Sequence, residues 1–184
     1  MADAEAAVLE TARGGILRRG LAVDHADAAI ITNISADHFG EYGIHDLDDL
    51  ARVKLTVAKA LAPGGLLVLN ADDPMLVRHA ASTNASRIGW FALEHADAQA
   101  RGAIVCGVSD GHVMLSADGS EHNLGDITAM PLTIGGAARY NIANIAAATL
   151  AAFALGIAPA TIASVLARFG ASNADNPGRL QRWT

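Results

Sequence analysis

Residues 27–54 read DAAIITNISADHFGEYGIHDLDDLARVK, and this stretch decides the fold. Residues 28–32 are a short apolar, β-branched run, the pattern of a strand buried in a parallel sheet. The run stops in a polar loop carrying Asn33, Ser35, Asp37 and His38. Ligands of open α/β sheets gather beyond the carboxyl ends of strands, which puts chemistry in that loop. A helix is predicted from Asp46, a good N-cap, with Asp48 and Asp49 in its first turn. Its apolar stripe is Leu47, Leu50, Val57, Ala58 and Leu61, and Pro63, Gly64 and Gly65 end it. Lys54 falls on that inward stripe, whereas Lys59 faces elsewhere. A lysine there either snorkels, with its ammonium at the rim, or serves a polar site built by the loop before its helix.

The remaining composition narrows the class. At 184 residues the chain fits one domain, or one domain with a small appendage, and can bury a substantial core. Aromatics are only 4%, and much of the apolar content is alanine, which favours close packing of helices on a sheet. The net charge of −6 argues against a nucleic-acid backbone as the main partner. Cys106 is the single cysteine, so no internal disulfide forms, and its setting in an apolar run reads as a small buried hydrophobe. No apolar run reaches membrane-span length and no leader pattern opens the chain, so a cytoplasmic protein without a membrane partner is expected.

Upstream, residues 6–9 form a short apolar run that reads as a strand ending in Glu10, followed by TARGGILRRGL. A carboxylate at a strand end suits a divalent cation or a basic substrate. Gly14 and Gly15 allow a turn or a close ligand approach, and Arg13, Arg18 and Arg19 suit phosphate or carboxylate groups. For Arg18 and Arg19 a solvated face explains the charge equally well. A loop carboxylate, Glu10 and the inward Lys54 together favour a metal or phosphate role, with His38 the least usual ligand for a hard cation.

Downstream, residues 66–69 read as a further buried strand leading into Asn70, Asp72, Asp73 and Pro74. The proline suits the first turn of a short helix, and capping is a sufficient role for both aspartates. Residues 87–93 read as another strand. From 96 to 132 short alternating runs separated by SDG and ADGS turns predict an antiparallel excursion at the sheet edge, with His112 and His122 exposed. Gly135 and Gly136 precede a long alanine-rich helix carrying Asn141 and Asn144 on one face. Their amides offer donor and acceptor together, as an adenine edge requires, although local capping accounts for them too. A shorter helix is predicted over 159–169, and Arg179 precedes a final strand start. The fold class is α/β: a three-layer, mostly parallel sheet flanked by helices. There is no G-x-x-x-x-G-K-[ST], C-x-x-C, H-E-x-x-H or G-x-S-x-G motif.

Taken together, LETARGGILRRGL, TNISADHFG, GIHDLDDLARVK, LNADDP, GGAARYNIANIAAA and NPGRL resemble the central domain of the Mur ligase superfamily. Within it the chain looks most like the C-terminal ligase half of the cyanophycin synthetases. The resemblance implies ATP and Mg²⁺, a carboxylate activated as an acyl phosphate, and an amine that displaces the phosphate. It implies that Glu10 and His38 hold magnesium and that Lys54, a carbamate in many members, holds a second metal. These three are the catalytic and metal candidates. It places Asn141 and Asn144 at the adenine and Arg179 near the nucleotide phosphates. The implied partners are a nucleotide and an amino-acid or peptide-polymer substrate, with arginine joined to poly-aspartate side chains.

The family's phosphate-gripping P-loop would precede Glu10, and its C-terminal domain would follow the last residues. Residues 1–184 are therefore expected to be a partial central domain, not competent in ligation alone. An uncovered sheet edge would allow a homo-oligomer. Two alternatives stand beside this: another Mur-type ligase acting on cell-wall or poly-glutamate substrates, and a non-catalytic nucleotide-binding or scaffold module.

Overall fold

The computed structural model describes residues 5–36, 40, 42–172 and 174–175. Among these residues six strands form one sheet in sequence order: β1 (Ala26–Ile31), β2 (Leu61–Asn70), β3 (Ile88–Glu94), β4 (Ile104–Ser109), β5 (His112–Ala117) and β6 (Ser120–Asp126). β1 to β4 pair in parallel, and β4–β5 and β5–β6 pair antiparallel. The expected excursion at the sheet edge is thus present. Its histidines are half-buried rather than exposed.

The layering follows from handedness. Right-handed crossovers between strands added in one direction lie on the same face. Accordingly α2 (Leu47–Leu55), α3 (Pro74–His79) and α4 (His95–Gln99), each linking consecutive parallel strands, contribute to one core with Leu67 and Leu69. The other face receives α5 (Arg139–Ala154) and α6 (Pro159–Leu166), which pack with Leu66, Val68, Phe91 and Leu115. Alternate residues of β2 thus serve opposite cores, and Leu66, Leu67, Val68 and Leu69 are each 0% exposed. Full burial of such a side chain is worth about 1.5–3 kcal/mol, so β2 is the axis of the domain. The remaining helix, α1 (Arg13–Arg19), lies upstream of β1.

Leu47, Leu50, Val57, Ala58 and Leu61 all join the first core, but only Leu47 and Leu50 lie on α2, and Leu61 already opens β2. Asp46 caps the helix by accepting from the Asp49 backbone N–H. The α-helix itself ends at Leu55, and a tighter 3₁₀ turn (Thr56–Ala60) carries the chain into β2.

Two expectations are corrected. Pro63, Gly64 and Gly65 do not lie between helix and strand but inside β2, where they form a bulge. Ala26 pairs with Leu61, yet Ala28 already pairs with Leu66. The bulge needs its glycines: Gly64 has φ +84°, and a Cβ on Gly65 would sit 3.0 Å from the Ala62 carbonyl and 3.1 Å from that of Ala26. Residues 6–9 are not a strand. Val8 and Leu9 are 96% and 61% exposed, and the segment pairs with no neighbour in the sheet. An apolar run without a ladder partner has no means of holding β structure.

Cys106 is fully buried on β4, and burial pushes its thiol up to about 12. A thiol that stays protonated and enclosed does not react. The folded chain at pH 8 should therefore resist an aromatic disulfide reagent, and denaturant should release one equivalent of thiol. Rapid labelling without denaturant would show that β4 is open.

Candidate functional site

A cavity of about 380 Å³ runs along the outer side of β1 toward its carboxyl end. Its volume falls within the range of small-ligand sites. Three parts of the chain meet there. Leu9, Glu10, Thr11, Arg13 and Ile16 come from the segment before and within α1. Residues 29–33 supply the strand and the start of its loop, and Lys54 and Val57 come from the end of α2 and the turn after it. Ile30 remains 40% exposed on this side, because β1 is the last strand of the described sheet.

Lys54 is half-buried at the margin of the apolar stripe, and its Nζ donates to the Asn33 carbonyl at 2.9 Å. The inward lysine therefore reaches back to the loop that precedes its own helix. Lys59, one turn on, is exposed. Arg18 is occupied differently: its Nε donates to the Gly14 carbonyl, and its guanidinium lies 5.6 Å from the Tyr42 ring centre.

The cavity thus brings Glu10 and Lys54 to its walls. His38 and Arg179 lie outside the described residues, as does Asp37. Asn141 and Asn144 do not line the cavity. Asn141 uses its Nδ2 to donate to the Leu132 carbonyl at 2.7 Å, the local role that its residue type also allows, while Asn144 is exposed. Among the described residues no three His, Cys, Asp or Glu side chains are grouped to hold a metal ion.

One layer of organisation was not legible as a site. Asn70, at the end of β2, donates from Nδ2 to the Thr32 carbonyl at 3.0 Å. Asp73 caps α3 through Met75 and Leu76 and also accepts from the Ile34 backbone N–H at 2.6 Å. Asp72 does not cap; it accepts from the Leu93 backbone N–H at 2.8 Å and so ties β2 to β3. The available signal was a surplus: one cap needs one carboxylate, and the sequence supplies two carboxylates and an amide at one strand end.

The Mur ligase middle domain family matches residues 1–152. The cyanophycin synthetase of Nostoc sp. (strain PCC 7120) is 38% identical over 181 residues, covering 96% of this chain and 20% of the relative. That of Synechocystis sp. (strain ATCC 27184) is 36% identical over the same length. The UDP-N-acetylmuramate–L-alanine ligase of Xanthomonas axonopodis pv. citri is 35% identical over 144 residues, 77% of this chain and 28% of that one. A crystal structure of MurF from Acinetobacter baumannii superposes with a TM-score of 0.54 at 20% identity, over 77% of this chain and 28% of that one, which supports the fold. The chain spans about a fifth of the length of the cyanophycin synthetases it matches. A family match over most of the chain, with relatives above 30% identity across nearly all of it, leads to one conclusion: the chain belongs to the Mur ligase middle domain family.

Proposed function

We propose that the chain serves as the central, nucleotide-binding domain of an ATP-dependent amide-forming ligase of the cyanophycin-synthetase kind. The single observation that carries this is the 38% identity across 96% of the chain with such a synthetase. The match to a cell-wall ligase covers less of the chain, which favours the polymer substrate over the cell-wall one.

The charge around the cavity is consistent with this reading. Arg13 and Lys54 are cationic and suit the phosphates of a nucleotide, while Glu10 is an anionic oxygen donor. One carboxylate beside a phosphate-binding surface fits Mg²⁺, which takes few protein ligands and completes its shell with phosphates and water. When bound, the metal would offset negative charge developing on the transferred phosphoryl group. Glu10 would hold it, and His38 is the second ligand in this reading. Lys54 as an amine attracts phosphate; as a carbamate it would supply anionic oxygens instead. Asn141, with one N–H committed to Leu132, would meet an adenine edge through Oδ1 and its other N–H. Asn144 would pair with it there, and Arg179 would meet the phosphates.

In the proposed reaction a substrate carboxylate oxygen attacks the γ-phosphorus of ATP and the bond to the β-phosphate oxygen breaks, releasing ADP. The amine of the second substrate, arginine in the favoured case, then attacks the acyl carbon. Phosphate leaves with the former carboxylate oxygen, and the amine loses a proton. An isotope experiment tests this in the ligase that carries the domain. With ¹⁸O in the primer's side-chain carboxylates, one ¹⁸O should appear in each released phosphate, matched to ADP and to arginine incorporated. Release of AMP, or phosphate without label, would refute the acyl phosphate.

A further inference from the structure

We propose that Asp73 is a positioning residue for the cavity, and that it acts by clamping the loop after β1 onto the N-terminus of α3. Asp73 is only 8% exposed, and both of its carboxylate oxygens accept hydrogen bonds. Oδ1 accepts from the Met75 and Leu76 backbone N–H groups at 2.9 and 3.1 Å, and Oδ2 accepts from that of Ile34 at 2.6 Å. The first two bonds are an ordinary helix cap. The third is not local, since it joins residues 39 apart in sequence.

What the third bond holds is the residue before it. Asn33 lies between two ties: the Thr32 carbonyl is held by Asn70 and the Ile34 N–H by Asp73. The Asn33 carbonyl in turn receives Lys54, and both Asn33 and Lys54 line the cavity. The Asn33 carbonyl is thus one of the groups that set where the ammonium sits, and the strand end of β2 holds the peptides on either side of it. Ile34 is itself 7% exposed in the first core, so the clamp seats on a packed side chain rather than on a free loop. Asp72, the neighbouring carboxylate, ties β3 and has no bond to the described residues of this loop.

Two substitutions separate the clamp from the cap. Asp73→Asn keeps an oxygen for the helix N–H groups but sets an N–H donor against that of Ile34. Asp73→Ser keeps a good N-cap but is too short to reach Ile34. The control is Asp72→Ala, which removes a tie from the same turn. The measurements, made on the chain itself, are amide hydrogen exchange at Ile34 and the acylation rate of Lys54 with an amine-selective ester.

Both Asp73 variants should speed exchange at Ile34 at least tenfold and acylation at Lys54 severalfold, and Asp72→Ala should change neither by more than twofold. Unchanged rates in both Asp73 variants would overturn the proposal. So would an equal increase in Asp72→Ala, because that would mark general loosening. The consequence for ligation rests on the ligase reading, but these two readouts do not. Altered rates with unimpaired ligation in the intact enzyme would uphold the clamp and count against the cavity as the ligation site.

Discussion

On the proposed ligase reading, Lys54→Met in the intact enzyme should lower the rate of ligation by roughly 10²- to 10³-fold, the scale of removing one preorganised electrostatic group. The effect on folding should be smaller. Methionine keeps the length and apolar character of the stem, and the charge-assisted bond to the Asn33 carbonyl, at a partly exposed position, is worth about 1.5 kcal/mol. A hundredfold rate loss corresponds to about 2.7 kcal/mol at the transition state, so the catalytic deficit should exceed the stability deficit. Lys54→Arg should not rescue. It keeps a positive charge but changes the shape and reach of the head group, and it has no amine to form a carbamate. Melting temperature and steady-state kinetics on the same preparations decide the matter. Ligation within threefold of the unsubstituted rate would reduce Lys54 to a snorkelling side chain that merely anchors a loop.

That alternative was visible in the sequence, and the structure shows how far periodicity reaches. The spacing of Leu47, Leu50, Val57, Ala58 and Leu61 is a helical signal, and all five pack into the first core, although the α-helix stops at Leu55 and Leu61 opens β2. Periodicity gives a direction, so it put Lys54 toward that core; it gives no partner, so Asn33 had to come from coordinates. The continuous apolar run of β2 likewise identified a strand buried on both faces, and the ADGS and SDG turns located the antiparallel pairs. Residues 6–9 are apolar without being a strand, because strand formation needs a ladder partner that sequence does not show. The same limit hid the bulge in β2. Pro63, Gly64 and Gly65 signal a break in regular structure, but a break between elements and a break within one carry the same residues. Local rules identify Asp73 as a cap, yet its other partner, Ile34, is 39 residues away, beyond their reach.

The largest structural penalty should come from Gly107→Val. Gly107 lies on β4, and a Cβ there would sit 2.8 Å from the His95 Cα, 2.9 Å from its backbone nitrogen and 3.0 Å from the Ala92 carbonyl. All three are main-chain atoms, so no rotamer change relieves the clash. The crowding follows from topology: β3 ends at Glu94, α4 begins at the next residue, and the start of that helix passes over β4. The β3–β4 register shifts between Phe91 and Glu94 at the same place, so the ladder has already yielded there. Adding a branched side chain means displacing either the first turn of α4 or the strand beneath it, and overpacking of this kind costs about 1–3 kcal/mol or more. A domain of ordinary stability holds only about 5–15 kcal/mol in total, so the variant should melt well below the parent chain. Gly15→Ala is the contrast, because a Cβ there meets nothing within 4 Å and the residue lies inside α1. It should raise stability by about 0.5–1 kcal/mol through the lower chain entropy of alanine in the unfolded state. Denaturant unfolding of the two variants beside the parent chain should therefore show shifts of opposite sign. A Gly107→Val midpoint equal to that of the parent would mean that α4 and β4 are not packed against each other as described.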